Sequence, residues 1–372
     1  MEKEDMMSIS RLIKSSLLLS LFTSVSFAAI EGAKLPDGFK LELYATVDGA
    51  RSLALAPDGT LFVGNRGGDS VYAVLDTNKD FKADKVIKLV SGLRMPNGVA
   101  FREGKLYVAT VSEILVFENI LGNLKENAPY KKLSVKFPED GHHGWKYIAF
   151  SPEGNLVVPV GAPCNVCDAG ENYSGIFSVD LKTSKVTKIA SGVRNTVGFD
   201  WHPTTGKLWF TENGRDMMGD DIPEEEINVL LKDGQHFGYP YCHAGMLKDP
   251  KFGEGVDCAK YTQPAWKLPA HRAPLGMEFY KGKMFPEKYR KGAFIAEHGS
   301  WNRSTPDGYR ITFVTVDGDK ATDSFEFLGG LLEGRRRKAR PVDFETLSDG
   351  SLLFSCDYNG KIYRITYKGS GQ

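Results

Sequence analysis

Residues 52–63 read SLALAPDGTLFV, which is an apolar strand, a tight turn and a second apolar strand. The Asp58-Gly59 pair in the middle supplies the positive φ angles that a tight hairpin turn needs. A third strand containing an aromatic residue follows at residues 70–74, SVYAV. These residues predict most of one small antiparallel sheet.

The same unit recurs along the chain. Six copies begin near residues 52, 98, 147, 197, 276 and 342, at intervals of roughly 45 to 80 residues, which is the spacing expected for one four-stranded blade each. The chain is therefore predicted to be all-β, a six-bladed β-propeller with four-stranded blades. A two-sheet sandwich is the alternative, but it would not explain the period. Helical periodicity is good only from Pro223 to Leu231.

The N-terminus has the pattern of a secretory signal peptide. Arg11 and Lys14 precede an uncharged, largely apolar stretch, and Ser26 and Ala28 suit the −3 and −1 positions of a cleavage site. Residues 1–28 are predicted to be the signal peptide and residues 29–372 the propeller domain of a secreted or periplasmic protein. A membrane anchor is the alternative, but the stretch is short for a bilayer span, so an integral membrane protein is not expected.

Charge excludes one class of partner. The chain has 47 Lys and Arg against 47 Asp and Glu, a formal net charge of zero. Nucleic-acid binding needs a surplus of cations to pair with phosphates, so it is not expected.

The five cysteines all follow the predicted signal peptide. In an oxidising compartment, Cys164 and Cys167 are predicted to form a short-loop disulfide, and Cys242 and Cys258 a second one. Cys356 then remains free, and its apolar strand predicts that it is buried. A zinc site built from the same cysteines is the alternative.

Two histidines precede the third copy of the repeat, in residues 141–146, GHHGWK. Either His142 or His143 could serve as a general base, because the intrinsic pKa of imidazole lies near neutral pH. The alternative is a pair of loop histidines that bond to the backbone.

A second polar region comprises residues 191–198, which include Arg194, and residues 211–223. Its run of Asn, Gly and Asp suits a loop whose carbonyl groups turn towards a hard cation such as Ca²⁺. A solvated acidic loop is an equally open alternative.

A third polar region lies near the C-terminus, where residues 298–303 read HGSWNR and residues 335–341 read RRRKARP. Arginine forks pair bidentately with carboxylates, so this basic run predicts an anionic ligand, with a solvated basic loop as the alternative.

A possible second metal site occurs in the first copy of the repeat, at Asp76, Asn78, Asp80 and Asp84. The Asp-x-Asn-x-Asp spacing is similar to that of a calcium loop, but phenylalanine replaces the glycine of the sharp turn and isoleucine replaces the twelfth-position glutamate. An ordinary polar hairpin turn is the alternative.

These polar segments, in this order, resemble the PQQ-dependent sorbosone and pyranose dehydrogenases, relatives of the soluble glucose dehydrogenases. PQQ is pyrroloquinoline quinone, a planar tricarboxylate ortho-quinone. The resemblance covers roughly residues 35 to 367, and it is carried by the segments His142-His143, 160–167, 192–195, 213–216, 219–221, 237–240, 298–303 and 340–342.

The resemblance implies a role for each matching residue. His143 would remove the proton from a sugar hydroxyl, with His142 as the alternative base, and Arg194 would stabilise the oxygen of the reduced quinone. The carbonyl groups of Gly214 and Arg215 would bind Ca²⁺. The cofactor would also contact the side chains of Asn195, His298, Trp301, Arg303, Lys338 and Arg340.

The resemblance thus implies a sugar dehydrogenase that uses PQQ and Ca²⁺ and passes electrons to an acceptor, which could be a quinone, a dye or a cytochrome. A calcium-dependent lactonase-type propeller is the first alternative, and it would need two or three carboxylate and Asn side chains around one axial metal. A non-catalytic propeller that binds sugar or protein is the second.

Overall fold

The computed structural model describes residues 29–369. Residues 1–28, predicted to be a signal peptide, lie outside the described residues. Within residues 29–369 the regular structure is strand apart from three 3₁₀ turns, at Ile120–Gly122, Cys258–Lys260 and Glu287–Arg290.

The strands follow the chain as six blades. The first strand, which belongs to the last blade, is β1 (Phe39–Thr46). The first blade consists of β2 (Ala50–Leu55), β3 (Leu61–Asn65), β4 (Val71–Leu75) and β5 (Lys85–Val90). The second consists of β6 (Gly98–Arg102), β7 (Lys105–Ala109), β8 (Glu113–Phe117) and β9 (Lys131–Lys136). The third consists of β10 (Ala149–Phe150), β11 (Leu156–Val160), β12 (Gly175–Val179) and β13 (Val186–Ser191).

The second half of the chain has longer connections. The next strands are β14 (Phe199–Trp201), β15 (Leu208–Glu212), β16 (Glu225–Leu230), β17 (Gln235–His236), β18 (Cys242–His243), β19 (Leu247–Lys248) and β20 (Trp266–Leu268). Of these, β14, β15, β16 and β20 form the fourth blade, β17 pairs in parallel with β13 of the third blade, and β18 and β19 form a separate hairpin.

The fifth blade consists of β21 (Pro274–Phe279), β22 (Gly292–Glu297), β23 (Arg310–Asp317) and β24 (Lys320–Leu328). A small hairpin follows, formed by β25 (Leu332–Glu333) and β26 (Arg336–Arg337). The remaining strands are β27 (Pro341–Thr346), β28 (Leu352–Cys356) and β29 (Lys361–Tyr367).

The sixth blade closes the ring with strands from both ends of the described chain. Its strand order is β1-β29-β28-β27, and β1 pairs antiparallel with β29 from Phe39 opposite Tyr367 to Thr46 opposite Lys361. Apolar side chains between neighbouring blades form the core; one cluster, for example, joins Phe62 of the first blade to Val108 of the second. The predicted six-bladed propeller is confirmed.

The one stretch with helical periodicity does not form a helix. The stretch with helical periodicity, Pro223 to Leu231, contains strand β16, in which all six residues are buried. A strand that is covered on both faces loses the alternation of polar and apolar residues, so its pattern can imitate a helical one.

The cysteine predictions are confirmed. Disulfides join Cys164 to Cys167 and Cys242 to Cys258, and Cys356 is free and buried in β28. Within the described residues there is no helix long and apolar enough to cross a bilayer.

The first strands of the blades are innermost and line a central channel. Strand β2 shows how one strand serves both ends of this channel: Arg51, near its N-terminal end, lines one cavity, and Leu55, at its C-terminal end, lines another. The two cavities therefore lie towards opposite ends of the channel.

Candidate active site

A cavity of about 250 Å³ lies at the N-terminal ends of the innermost strands. Its wall brings together four arginines, three histidines and two carboxylic acids from several blades: Arg51, Arg66, Arg194, Arg340, His143, His271, His298, Asp216 and Glu225. Such a concentration of cations is unusual in a chain with zero net charge, and it gives the cavity affinity for anions.

His143 is buried in the cavity wall and has a fixed tautomer. Its Nδ1 lies 2.8 Å from the carbonyl oxygen of Ala162, an arrangement in which Nδ1 carries the hydrogen. Close approach at Gly161 makes this possible, because a Cβ there would lie 2.6 Å from the Cβ of His143. Burial, followed by the charges of Arg194 and His142, lowers the pKa of His143 to about 2. His143 is therefore neutral, with Nε2 as its proton acceptor.

Arg194 is held by a set of acceptors. Its Nε donates to the carbonyl oxygen of Asn165 at 2.8 Å, and its Nη1 donates to that of Asn213 at 3.0 Å. Its Nη2 donates to Oδ1 of Asn165 at 2.9 Å and to Oδ2 of Asp216 at 3.0 Å. Since a guanidinium has five N–H groups, one N–H on Nη1 is without a partner among the described residues, and Arg194 is part of the cavity wall.

The backbone around Arg194 is fixed by a buried carboxylic acid. Glu212 Oε1 accepts hydrogen bonds from the backbone N–H groups of Arg194 and Asn195, at 2.6 and 2.9 Å. Its Oε2 accepts from the hydroxyl of Thr196 at 3.1 Å. These bonds hold Arg194 and Asn195 at the cavity, whose wall contains both residues.

Arg51, Asp357 and His298 form a charged chain beside the cavity. Asp357 accepts from Nη1 of Arg51 at 2.7 Å, and its other oxygen lies 2.8 Å from Nε2 of His298. Although burial opposes it, the interactions with His298 and Arg51 lower the pKa of Asp357 far below its ordinary value. Burial lowers the pKa of His298 to about 4, so at neutral pH this chain holds one cation and one anion.

Two further arginines have no carboxylate partner within residues 29–369. The guanidinium of Arg66 lies 3.8 Å from the ring centroid of Trp145, a cation–π contact. Arg340 donates from Nε to the carbonyl oxygen of His298 at 2.9 Å and from Nη2 to that of Gly299 at 2.8 Å. Partial desolvation, followed by the charge of Arg51, lowers the pKa of Arg66 to about 10. An anionic ligand would supply the missing counter-charge.

The opposite part of the wall contains the predicted calcium loop. Gly214 lines the cavity, and its N–H donates to Oε2 of Glu225 at 2.5 Å. Arg215 is not part of the lining, and its guanidinium contacts the buried carboxylate of Asp249 instead. Burial raises the pKa of Glu225 to about 7, so this carboxyl group would gain stability from a nearby cation.

The structure separates the remaining predicted site residues into two sets. His143, Arg194, Asn195, His298, Trp301 and Arg340 line the cavity together with Gly214. Outside that lining lie His142, which is exposed, and the half-buried Arg215, Arg303 and Lys338. Arg303 donates to carbonyl oxygens of Asp220 and Ala270 in a neighbouring surface depression, and Lys338 pairs with Glu333 at 3.2 Å.

The acidic turn between β4 and β5 uses its carboxylates internally. Oδ1 and Oδ2 of Asp76 accept from the N–H groups of Asp80 and Phe81, at 3.1 and 2.7 Å, and Asp84 accepts from Thr77 at 2.8 Å. In the described part of the chain, no three His, Cys, Asp or Glu side chains are grouped so that they could hold a metal ion. These contacts favour the hairpin-turn alternative for Asp76, Asn78, Asp80 and Asp84.

Sequence reasoning missed several residues that the fold brings to the cavity. Arg51 and Arg66 belong to the first blade, and Asp357 follows strand β28 of the sixth blade. A usable signal exists for Arg51, because a charged residue between Ala50 and Ser52 interrupts an apolar inner strand. No comparable signal marks Arg66 or Asp357.

Comparisons with known proteins agree with this architecture. An uncharacterised protein from Borreliella burgdorferi (strain B31) is 35% identical over 99% of this chain and 100% of its own length. The calcium structure of the Trichoderma reesei carbohydrate-active enzyme of family AA12 superposes with a TM-score of 0.81 at 22% identity, covering 93% of this chain and 100% of the other. The holo form of the pyranose dehydrogenase PQQ domain from Coprinopsis cinerea gives a TM-score of 0.77 at 18% identity, covering 90% and 97%.

The family comparison extends over nearly all of the described residues. The model of the TrAA12-like family matches residues 33–251 and 246–368, which include every blade and every residue of the cavity wall. The chain belongs to the TrAA12-like family.

Proposed function

We propose that this protein is a PQQ-dependent dehydrogenase that oxidises a hydroxyl group of an aldose or related sugar. The observation that carries the proposal is the cavity, where a neutral histidine with a free Nε2 faces the same space as four arginines. The structural similarity to a pyranose dehydrogenase PQQ domain supports the choice of cofactor.

The donor set fits a planar tricarboxylate. Arg66 and Arg340 have no carboxylate partner in residues 29–369, and Arg51 borders the same space. Arginine is the side chain best suited to carboxylates, because its fork donates two parallel hydrogen bonds. Arg51, Arg66 and Arg340 would therefore hold the carboxylates, and Trp145 would contribute apolar surface.

When bound, PQQ would supply the acceptor for the two electrons of the oxidation. The protein's own residues have the remaining tasks. His143 accepts the hydroxyl proton at Nε2, because Nδ1 is committed to Ala162. Arg194 offers its remaining N–H to an oxygen that becomes more negative, and Asn195 offers its side-chain amide beside it.

Binding of an anionic ligand would also adjust the base. Burial and the charge of Arg194 lower the pKa of His143, and carboxylates in the cavity would oppose the second of these effects. The pKa of His143 would therefore rise when the cofactor binds, which makes Nε2 a better proton acceptor at neutral pH.

The proposed function includes a Ca²⁺ ion that binds at the cavity together with the cofactor. The carbonyl group of Gly214 is the candidate ligand at the cavity, and Arg215 is a weaker one because it is outside the lining. Asp216 adds negative charge to the same wall and a cation there would favour ionisation of Glu225, so part of the charge that holds the cation would come from the protein.

We also propose that the protein acts outside the cytoplasm and passes its electrons to a separate acceptor. Two disulfides and the signal-peptide pattern support export, since disulfides persist in oxidising compartments. The acceptor could be a quinone, a dye or a cytochrome.

The proposal is tested with purified mature protein reconstituted with PQQ and Ca²⁺. The protein is expected to reduce a dye with electrons from an aldose only when PQQ is present. It is not expected to hydrolyse a lactone in the absence of PQQ. Calcium-dependent hydrolysis of a lactone in the absence of PQQ would contradict the proposal and support the lactonase alternative. Sugar binding with neither activity would support the non-catalytic alternative.

A further inference from the structure

The loop closed by the Cys164–Cys167 disulfide contacts Arg194 through Asn165, and the segment just before it contacts His143. Just before it, the carbonyl group of Ala162 accepts from His143, and the N–H of Ala162 donates to the carbonyl oxygen of Arg194 at 2.8 Å. The segment 162–167 therefore contacts both the base and the element that carries the guanidinium.

Within this loop, Asn165 makes most of the contacts. Its carbonyl oxygen and its Oδ1 accept from Nε and Nη2 of Arg194. The same Oδ1 accepts from the N–H of Asp216 at 2.9 Å, and Nδ2 of Asn165 donates to the carbonyl oxygen of Asp216 at 3.0 Å. Asn165 thus holds Arg194 directly and also holds the residue that supplies its counter-charge.

The loop itself is anchored from the opposite side by the buried Tyr239. The N–H of Cys167 donates to the Tyr239 hydroxyl oxygen at 3.0 Å, and this hydroxyl donates to the carbonyl oxygen of Asn165 at 3.5 Å. Because the disulfide closes only a four-residue loop, it keeps Asn165 in a conformation in which both of its oxygens face Arg194.

Four of the five N–H groups of Arg194 are committed to this surrounding set of acceptors. Asn165 takes two of the five N–H groups of Arg194, Asp216 takes a third and Asn213 a fourth. The guanidinium plane is then fixed, and the remaining N–H of Nη1 has a defined direction at the cavity. A guanidinium that could rotate would offer a ligand several donors with poorer geometry.

We infer that Asn165, held by the Cys164–Cys167 disulfide, is a positioning residue that orients Arg194 for catalysis. This inference rests on the proposed function, because it assigns the orientation of Arg194 a role in the reaction. Asn165 is not expected to touch the substrate or the cofactor.

The test compares three single variants of the mature protein. Asn165→Ala removes the Oδ1 acceptor and the Nδ2 donor, whereas Asn165→Asp keeps an acceptor for Arg194. Val166→Ala alters the same loop, but no side-chain hydrogen bond depends on that residue, so it is the matched control. Measurements are kcat, KM, the Kd for PQQ and the midpoint potential of the bound cofactor.

Asn165→Ala is expected to lower kcat by about 10- to 100-fold, the range for loss of a supporting residue. KM and the Kd for oxidised PQQ should stay near the wild-type values, and Asn165→Asp should recover most of kcat. If Asn165→Ala weakens binding of the reduced cofactor tenfold more than binding of the oxidised cofactor, the two-electron potential of the bound cofactor falls by about 30 mV relative to the wild type. A Cys164→Ser/Cys167→Ser double variant should shift kcat and potential in the same direction.

The inference fails if Asn165→Ala behaves like Val166→Ala, if its loss of activity is matched by an equal loss of folded protein, or if Asn165→Asp does not recover kcat. A second measurement separates this failure from failure of the proposed function, because it needs no cofactor. The free energies of unfolding of four apoproteins form a double-mutant cycle. They are the wild type, Asn165→Ala, Arg194→Leu and the variant that combines Asn165→Ala with Arg194→Leu. Non-additive effects support positioning of Arg194 by Asn165 even if wild-type protein does not bind PQQ, and additive effects overturn it.

Discussion

The two ends of the central channel differ in size and in the ionisable residues that line them. The cavity at the N-terminal ends of the innermost strands measures about 250 Å³ and contains four arginines. The cavity at the other end measures about 820 Å³, and its wall includes the carboxyl groups of Glu278 and Glu345. The larger cavity therefore has fewer of the side chains that the proposed dehydrogenase reaction needs.

The two ends also differ in how their charges are held. At the smaller cavity, Asp357 remains ionised because Arg51 and His298 bond to it. At the larger one, burial and neighbouring carboxylates raise the pKa values of Glu278 and Glu345 well above the ordinary range, so these groups tend to be neutral. The candidate active site is therefore distinguished from the larger cavity by its ionised side chains and not by its volume.

The largest expected effect that follows from this comparison is on turnover. His143→Ala should lower kcat by about 10² to 10⁴-fold, the usual contribution of a general base, while folding and PQQ binding persist. Dye reduction by the reconstituted variant measures this. Glu278→Gln, at the opposite end of the channel, is the control and should leave kcat unchanged. A large loss in His142→Ala with none in His143→Ala would move the base to the neighbouring residue.

The next effect is on cofactor affinity. Arg340→Ala removes a cavity-facing guanidinium that has no carboxylate partner in the described residues, so the Kd for PQQ should rise by about 10- to 100-fold. Arg303→Ala should change this Kd less, because Arg303 bonds to carbonyl groups outside the cavity lining. Fluorescence or absorbance titration with PQQ compares the two variants. Equal losses would show that the cofactor extends to the rim at Arg303.

The smallest expected effect is on the pH dependence of stability, and it arises at the larger cavity, which contains Glu278 and Glu345. The pKa of Glu278 is higher in the folded protein than its ordinary value of 4.5, because it is buried and lies near Glu345. The unfolded chain therefore binds fewer protons above about pH 4.5, and the free energy of unfolding falls as the pH rises towards the folded-state pKa. Glu278→Gln should flatten this fall. Melting temperatures at pH 5 and pH 8 measure it, and an unchanged slope would assign the proton to another group.

The repeat was predictable because its signals are local. A Pro-Asp-Gly turn between two short apolar runs determines a hairpin regardless of the rest of the chain, and Asp58-Gly59 is one example. The closure of the ring was not predictable in this way. Phe39 pairs with Tyr367, although the two residues are more than three hundred positions apart in the chain. Neither segment contains a sequence signal that identifies the other as its partner.

The site was predictable only where a motif coincided with an inner strand. His143 and Arg194 directly precede strands that line the channel, so their loops lead to the cavity. Five of the six residues at 335–340 are Lys or Arg, but the hairpin β25–β26 leaves Arg336 and Arg337 exposed and only Arg340 of this run lines the cavity. Which member of a charged run reaches a ligand is decided by tertiary structure.

The proposed function requires the smaller, arginine-lined cavity to bind PQQ together with Ca²⁺. The decisive measurement is a calorimetric titration of PQQ into mature apoprotein, with and without Ca²⁺. We predict one PQQ per chain, weaker binding in Arg340→Ala than in Glu278→Gln, and an increase in affinity with Ca²⁺ that equals the increase PQQ causes in Ca²⁺ affinity. Absence of PQQ binding, or binding that neither Ca²⁺ nor Arg340→Ala alters, would contradict the claim.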